Sequence, residues 1–137
     1  MNINFFFKVI FLLFLISILS GCLNESVKVK NDFEGISFKS DAVELVYAKK
    51  IERVDNNKIL GIDVKFLFKN PNDRYINLDV YVEFYDKEDH LITKEGPHTI
   101  GIRPNYEEKL TEGANTISYN GEHASLIDHV IIIAEEI

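Results

Sequence analysis

Between Leu60 and Tyr85 the chain reads Leu60-Gly61-Ile62-Asp63-Val64-Lys65-Phe66-Leu67-Phe68-Lys69, then Asn70-Pro71-Asn72-Asp73-Arg74-Tyr75, then Ile76-Asn77-Leu78-Asp79-Val80-Tyr81-Val82-Glu83-Phe84-Tyr85. The even positions Leu60, Ile62, Val64, Phe66 and Phe68 are apolar, and so are Ile76, Leu78, Val80, Val82 and Phe84. Gly61, Asp63, Lys65 and Lys69 alternate with the first set, and Asn77, Asp79, Tyr81, Glu83 and Tyr85 with the second. Side chains of a strand point alternately to its two faces, so a period of two predicts two strands, each with one buried side. The Asn-Pro-Asn-Asp interruption between them is a turn signal.

Working outward, Val43, Leu45 and Tyr47 open an earlier strand that ends near Val54, and Asp55-Asn56-Asn57-Lys58 supplies residues that tolerate a tight turn. After Tyr85, Asp86-Lys87-Glu88-Asp89 predicts a turn and His90–Lys94 a short strand that Gly96-Pro97 breaks. Further strands are predicted around Tyr106–Leu110 and Asn115–Tyr119, with Asn120-Gly121 turning the chain and residues 122–128 forming one helical turn. The β-branched run His129-Val-Ile-Ile-Ile-Ala134 does not alternate, which predicts a central strand covered on both faces. Six to eight short strands with no sustained helical period imply a sandwich or barrel. Two antiparallel sheets with an aliphatic interior suit the inward residues, so an all-β antiparallel sandwich is expected.

At 137 residues the chain has room for one domain. It is 46% hydrophobic and 27% charged, so it can bury a core. Lys8 is the only charged side chain before Cys22; the remainder carries 14 basic and 22 acidic residues, a net charge of −8. That balance, without a Lys/Arg cluster, excludes nucleic acid as a partner, since phosphate binding needs cationic surface. The single cysteine, Cys22, permits no disulfide within the chain.

An apolar run from Val9 to Leu19, interrupted only by Ser17, precedes Ser20-Gly21-Cys22. It has the length of a signal-peptide core and falls short of the roughly 20 apolar residues that span a bilayer. Leu19-Ser20-Gly21-Cys22 resembles the lipobox of prokaryotic lipoproteins, an aliphatic residue and two small ones before a cysteine. The resemblance implies a signal helix over 1–21 and lipidation of Cys22. The domain would then be held at the outer, extracytoplasmic face of the cell membrane by two or more acyl chains, because one alone binds marginally. Residues 22–35 are read as the lipid-anchor cysteine and a polar tether, and 36–137 as the β-sandwich domain.

Val82-Glu83-Phe84-Tyr85-Asp86 resembles the Phe-x-Leu-Tyr-Asp signature of the FxLYD domain, with Val82 in place of Phe and Phe84 in place of Leu. Asn70-Pro71-Asn72 ahead of that strand is similar to the late-embryogenesis-abundant β-sandwich group. The similarity covers roughly residues 60–134. It implies an immunoglobulin-like sandwich of the kind found in prokaryotic surface lipoproteins, and it implies no catalytic residue.

His90, His98, His123 and His129 lack the short paired spacing of metal ligands, though His123 and His129 flank a bend. Asp86, Glu88, Asp89 and His90 combine carboxylates with an imidazole, the parts of acid–base chemistry, but on one exposed hairpin turn. No metal, cofactor or catalytic group is assigned, and no enzyme activity is expected. Tyr81 and Tyr85 project from the polar side of their strand, with Tyr75 nearby. Aromatic residues are enriched at interfaces, which makes these three the candidate contacts for an envelope protein or polymer. The expectation is a membrane-anchored, non-enzymatic binding or structural module; the rival is a small lipid-anchored solute-binding or transporter-accessory protein.

Overall fold

The computed structural model describes residues 30–137, with side-chain environments from Phe33 onward. Eight strands follow one another: β1 (Lys30–Phe33), β2 (Ile36–Lys39), β3 (Glu44–Asp55), β4 (Lys58–Lys69), β5 (Ile76–Tyr85), β6 (Leu91–Ile102), β7 (Asn115–Tyr119) and β8 (His129–Glu136). Short 3₁₀ turns lie at Leu110–Glu112 and Ala124–Leu126. The strands form two sheets, β1-β2-β8-β5-β6 and β3-β4-β7. The domain is all-β, with the two sheets sharing one apolar core. The signal helix expected over 1–21, and Cys22, lie outside the described residues.

The alternation of the central stretch is expressed almost residue for residue. Leu78, Val80, Val82 and Phe84 of β5 and Ile62, Val64, Phe66 and Phe68 of β4 are fully buried. They meet Ile36, Phe38, Val130 and Ile132 from β2 and β8 in one cluster. Within it Phe68 lies 5.5 Å from Phe38 and 5.1 Å from Phe66, ring centre to ring centre, with the rings tilted. Leu60 departs from its run: it is 48% exposed, beyond the last β7 partner of β4, which is the Ile62–Tyr119 pair. The β3–β4 hairpin turns at Asn56 and Asn57, both at positive φ (48° and 63°). Positive φ at both central residues gives the turn whose twist matches two antiparallel strands.

Five expectations need correction. The tether read over 22–35 stops short, because Lys30–Phe33 is already a strand, paired with β2 through Lys30–Phe38 and Phe33–Ile36. The sandwich is not wholly antiparallel: β2 runs parallel to β8, from Ile36–Val130 to Lys39–Ile133. Gly96-Pro97 does not end its strand. The register passes from Val82–Glu95 to Val80–His98, so one extra residue is accommodated as a bulge in β6. Gly96 has φ +119°, and a Cβ there would lie 2.6 Å from the Val80 carbonyl oxygen, so glycine is required. Pro97, lacking an N–H, is tolerated because β6 is an edge strand. Residues 106–110 form no strand; they contribute one bridge, Lys69–Glu107, before the 3₁₀ turn. Finally, β8 is central, between β2 and β5, but is covered on one face: Val130, Ile132 and Ala134 are buried while Ile131 and Ile133 are half-buried.

The turn after β4 is a buried polar clasp. Asn70 is fully buried, and its Nδ2 donates to the carbonyls of Arg74 (2.9 Å), Ile102 (3.1 Å) and Arg103 (3.0 Å). Its Oδ1 accepts from the Asn72 backbone N–H at 2.9 Å and from Asn72 Nδ2 at 3.0 Å. Asn72 Nδ2 also donates to the Ala42 carbonyl at 2.9 Å. Three chain crossings at one end of the sandwich are thereby tied, and no buried polar side-chain atom among the described residues lacks a partner.

Candidate functional site

The outward face of the five-stranded sheet is set by register. Tyr81 of β5 lies opposite Ile133 of β8, Glu83 opposite Ile131, and Tyr85 opposite His129. On the other side of β5, Glu83 is opposite Lys94 of β6. Directly opposed residues of antiparallel strands share a face, so Tyr81, Tyr85, Ile131, Ile133, His129, Glu83 and Lys94 form one surface.

Side-chain contacts link this surface laterally. Lys94 Nζ sits 4.6 Å from the centre of the Tyr81 ring and 3.6 Å from Glu83 Oε1. Tyr85 Oη donates to Glu83 Oε2 at 2.8 Å. Its ring stacks on the His129 imidazole, with centres 5.3 Å apart and planes 4° from parallel. His129 in turn stands 3.3 Å from a carboxylate oxygen of Asp89 and 3.3 Å from one of Asp128. Partial burial, and then the hydrogen bond to ionised Glu83, push the Tyr85 phenol above its ordinary value. Both tyrosines are therefore half-buried across a strand pair, held in fixed positions, with ring area still open to solvent.

Tyr75 does not join them. It precedes β5, is 54% exposed, and its hydroxyl lies over Gly101, where a Cβ would come within 1.8 Å of it. Along a strand rising about 3.3 Å per residue, Tyr75 and Tyr85 stand about 33 Å apart and Tyr81 and Tyr85 about 13 Å. Ile131, Ile133, Lys94 and His129 were not singled out in the sequence as part of this face. Only the register could have found them, because a β-branched run reads alike whether one face is covered or both.

The acidic turn carries a different geometry. Asp86 Oδ1 accepts from the backbone N–H groups of Glu88 and His90, each at 2.9 Å, and Oδ2 lies 3.2 Å from His90 Nδ1. The hydrogen bond from the His90 backbone, followed by that from Glu88, holds the Asp86 carboxyl below the usual range. One ligand atom each from Asp86, Glu88 and His90 lies within 4.8 Å of the others. These contacts close the β5–β6 connection, where Asp89 takes φ 63°. His123 and His129 are not brought together: His123 lies 3.6 Å from Glu122, and His129 faces Asp89 and Asp128. His98 is exposed on β6.

No family model matches the chain, and no curated protein matches it. Among solved structures it is similar to the crystal structure of Campylobacter jejuni cj0090, at 12% identity and a TM-score of 0.45, over 75% of this chain and 100% of that one. A likeness at that level carries no functional argument.

Proposed function

We propose that the chain is an extracytoplasmic lipoprotein, anchored through Cys22, whose immunoglobulin-like sandwich of the FxLYD and late-embryogenesis-abundant type serves as a non-enzymatic binding or structural module. Its partner is an envelope protein or polymer, met by the outward face of the five-stranded sheet through Tyr81 and Tyr85. The observation that supports this reading is the alignment of two tyrosines with Ile131 and Ile133 on one open face. Rigid aromatic rings supply contact area at small entropic cost, and charged residues around them form a polar rim. The leader supports the anchoring half, since Ser20-Gly21-Cys22 directly follows the apolar run. The test is photo-crosslinking in native membranes with the reactive side chain at position 81, against a control at Ser118 on β7. A discrete adduct from position 81 alone supports the reading. Equal labelling from both positions, or none, contradicts it.

A further inference from the structure

The parallel pairing of β2 with β8 stops at Lys39–Ile133. There the chain turns away, with Ser40 Oγ accepting from the backbone N–H groups of Ala42 (3.2 Å) and Val43 (3.3 Å), and crosses to the other sheet as β3. β8 continues through Ala134, Glu135 and Glu136, which pair with Val80, Asp79 and Leu78 of β5. Among the described residues no strand runs along the other side of these three. The result is an open groove of about 490 Å³ between Lys39–Ala42 and Ile133–Glu136. Ala42, Ile133 and Ala134 give it an apolar lining. Glu136 is held by Arg74, whose Nη2 donates to Oε2 at 2.8 Å. Asp41 and Glu135 then set two carboxylates against one ammonium, that of Lys39.

A strand edge without a neighbour presents backbone N–H and C=O groups to any extended chain that reaches it. Three such residues span about 10 Å, the length of a three- to four-residue segment. We propose that this groove takes a short, extended, basic segment of a partner protein, added as a strand along Ala134–Glu136. Its small apolar side chains rest on Ala134 and Ala42, on the core side, and its Lys or Arg residues alternate to the outward side to meet Glu135, with Asp41 lining the same groove. Main-chain bonds give such a complex its affinity and alternate side chains its selectivity. The local excess of carboxylate, on a chain of net charge −7, favours a cationic segment over an anionic one. The proposal requires neither lipidation of Cys22 nor the tyrosine face.

The test titrates isotope-labelled full-length protein in detergent micelles with two blocked peptides, acetyl-Val-Lys-Val-Lys-amide and acetyl-Val-Glu-Val-Glu-amide, following backbone amide resonances. Saturable shifts of Ala134, Glu135 and Glu136 are expected with the lysine peptide, about tenfold tighter than with the glutamate one, a difference near 1.4 kcal/mol. The double variant Asp41→Lys with Glu135→Lys, its remaining resonances unchanged, should reverse the preference. Four outcomes would overturn the proposal: no saturable shift, an equal response to both peptides, shifts centred on β6, or shifts that grow with protein concentration alone and so mark a second copy. Binding seen only after deletion of residues 23–28 would assign the groove to the chain's own N-terminal segment, and would overturn it as well.

Discussion

Tyr85 and His129 lie flat against one another across β5 and β8, 5.3 Å between ring centres and 4° from parallel. The pair joins the last residue of β5 to the first of β8, and the Asp128 backbone N–H donates to the Tyr85 carbonyl at 2.9 Å beside it. One half of the candidate face is thereby fixed by the same contacts that hold two strands in register. A stacked ring pair contributes about 0.5–1.5 kcal/mol beyond its area. Tyr85→Ala is expected to cost about 1–2 kcal/mol in urea unfolding. Tyr85→Phe, which keeps the ring and loses only the hydrogen bond to Glu83, should cost well under half of that. Equal losses from both substitutions would show that the hydroxyl, not the stack, matters.

Asn70→Ala removes the donor to the carbonyls of Arg74, Ile102 and Arg103 at a site that solvent does not reach. Leaving buried acceptors unpaired costs about 1–3 kcal/mol, and a cavity adds to it. The expected loss is about 2–4 kcal/mol in chemical denaturation. Asn70→Asp, which puts an acceptor where the donor stood, should cost more than the alanine.

Val80→Asp places an unpaired carboxylate among fully buried neighbours at the centre of β5. The cost is about 4 kcal/mol or more, a large share of the roughly 5–15 kcal/mol that stabilises a domain. Circular dichroism should report loss of the cooperative transition. Half-buried Asp79→Asn, one position away, keeps an oxygen to accept from Thr99 Oγ1 and should leave the stability within about 0.5 kcal/mol of the parent.

Asp86 and Glu136 both titrate below the usual carboxylate range in the folded chain, Asp86 through backbone hydrogen bonds and Glu136 through its bond to Arg74. A carboxyl held lower folded than unfolded adds stability that is fully present above the unfolded value, about 4 for Asp and Glu. That stability is lost as pH falls through the folded value. Side-chain carboxyl resonances of both residues should therefore have midpoints below their ordinary values, and stability should fall as pH is lowered from the unfolded values through the folded ones. Midpoints at or above the ordinary values would contradict the hydrogen-bond geometry.

The strand content was legible because the even-numbered apolar positions from Ile62 to Phe84 are buried, and the β3–β4 turn because Asn56 and Asn57 accept positive φ. What escaped has a common cause in tertiary context. Ile131 and Ile133 have the composition of buried residues, and only pairing with Tyr81 and Glu83 places them on the open face. Gly96-Pro97 is a breaker in local terms, yet an edge strand absorbs it as a bulge. Ile36–Lys39 is too short for its period to stand out, and its parallel pairing with β8 depends on a partner more than ninety residues later. Asn70 reads as one more turn residue until the three carbonyls around it are known. For the site, two of the three tyrosines fall on one face and Tyr75 stands apart, as its separation of ten residues from Tyr85 already implied.

Intact mass spectrometry of the protein purified from native membranes tests the anchored-module account most directly. The expected species begins at Cys22 and carries acyl mass on that residue, and Cys22→Ala should release the domain from the membrane with its unfolding midpoint unchanged. A species beginning at Met1 with an unmodified thiol would contradict the account.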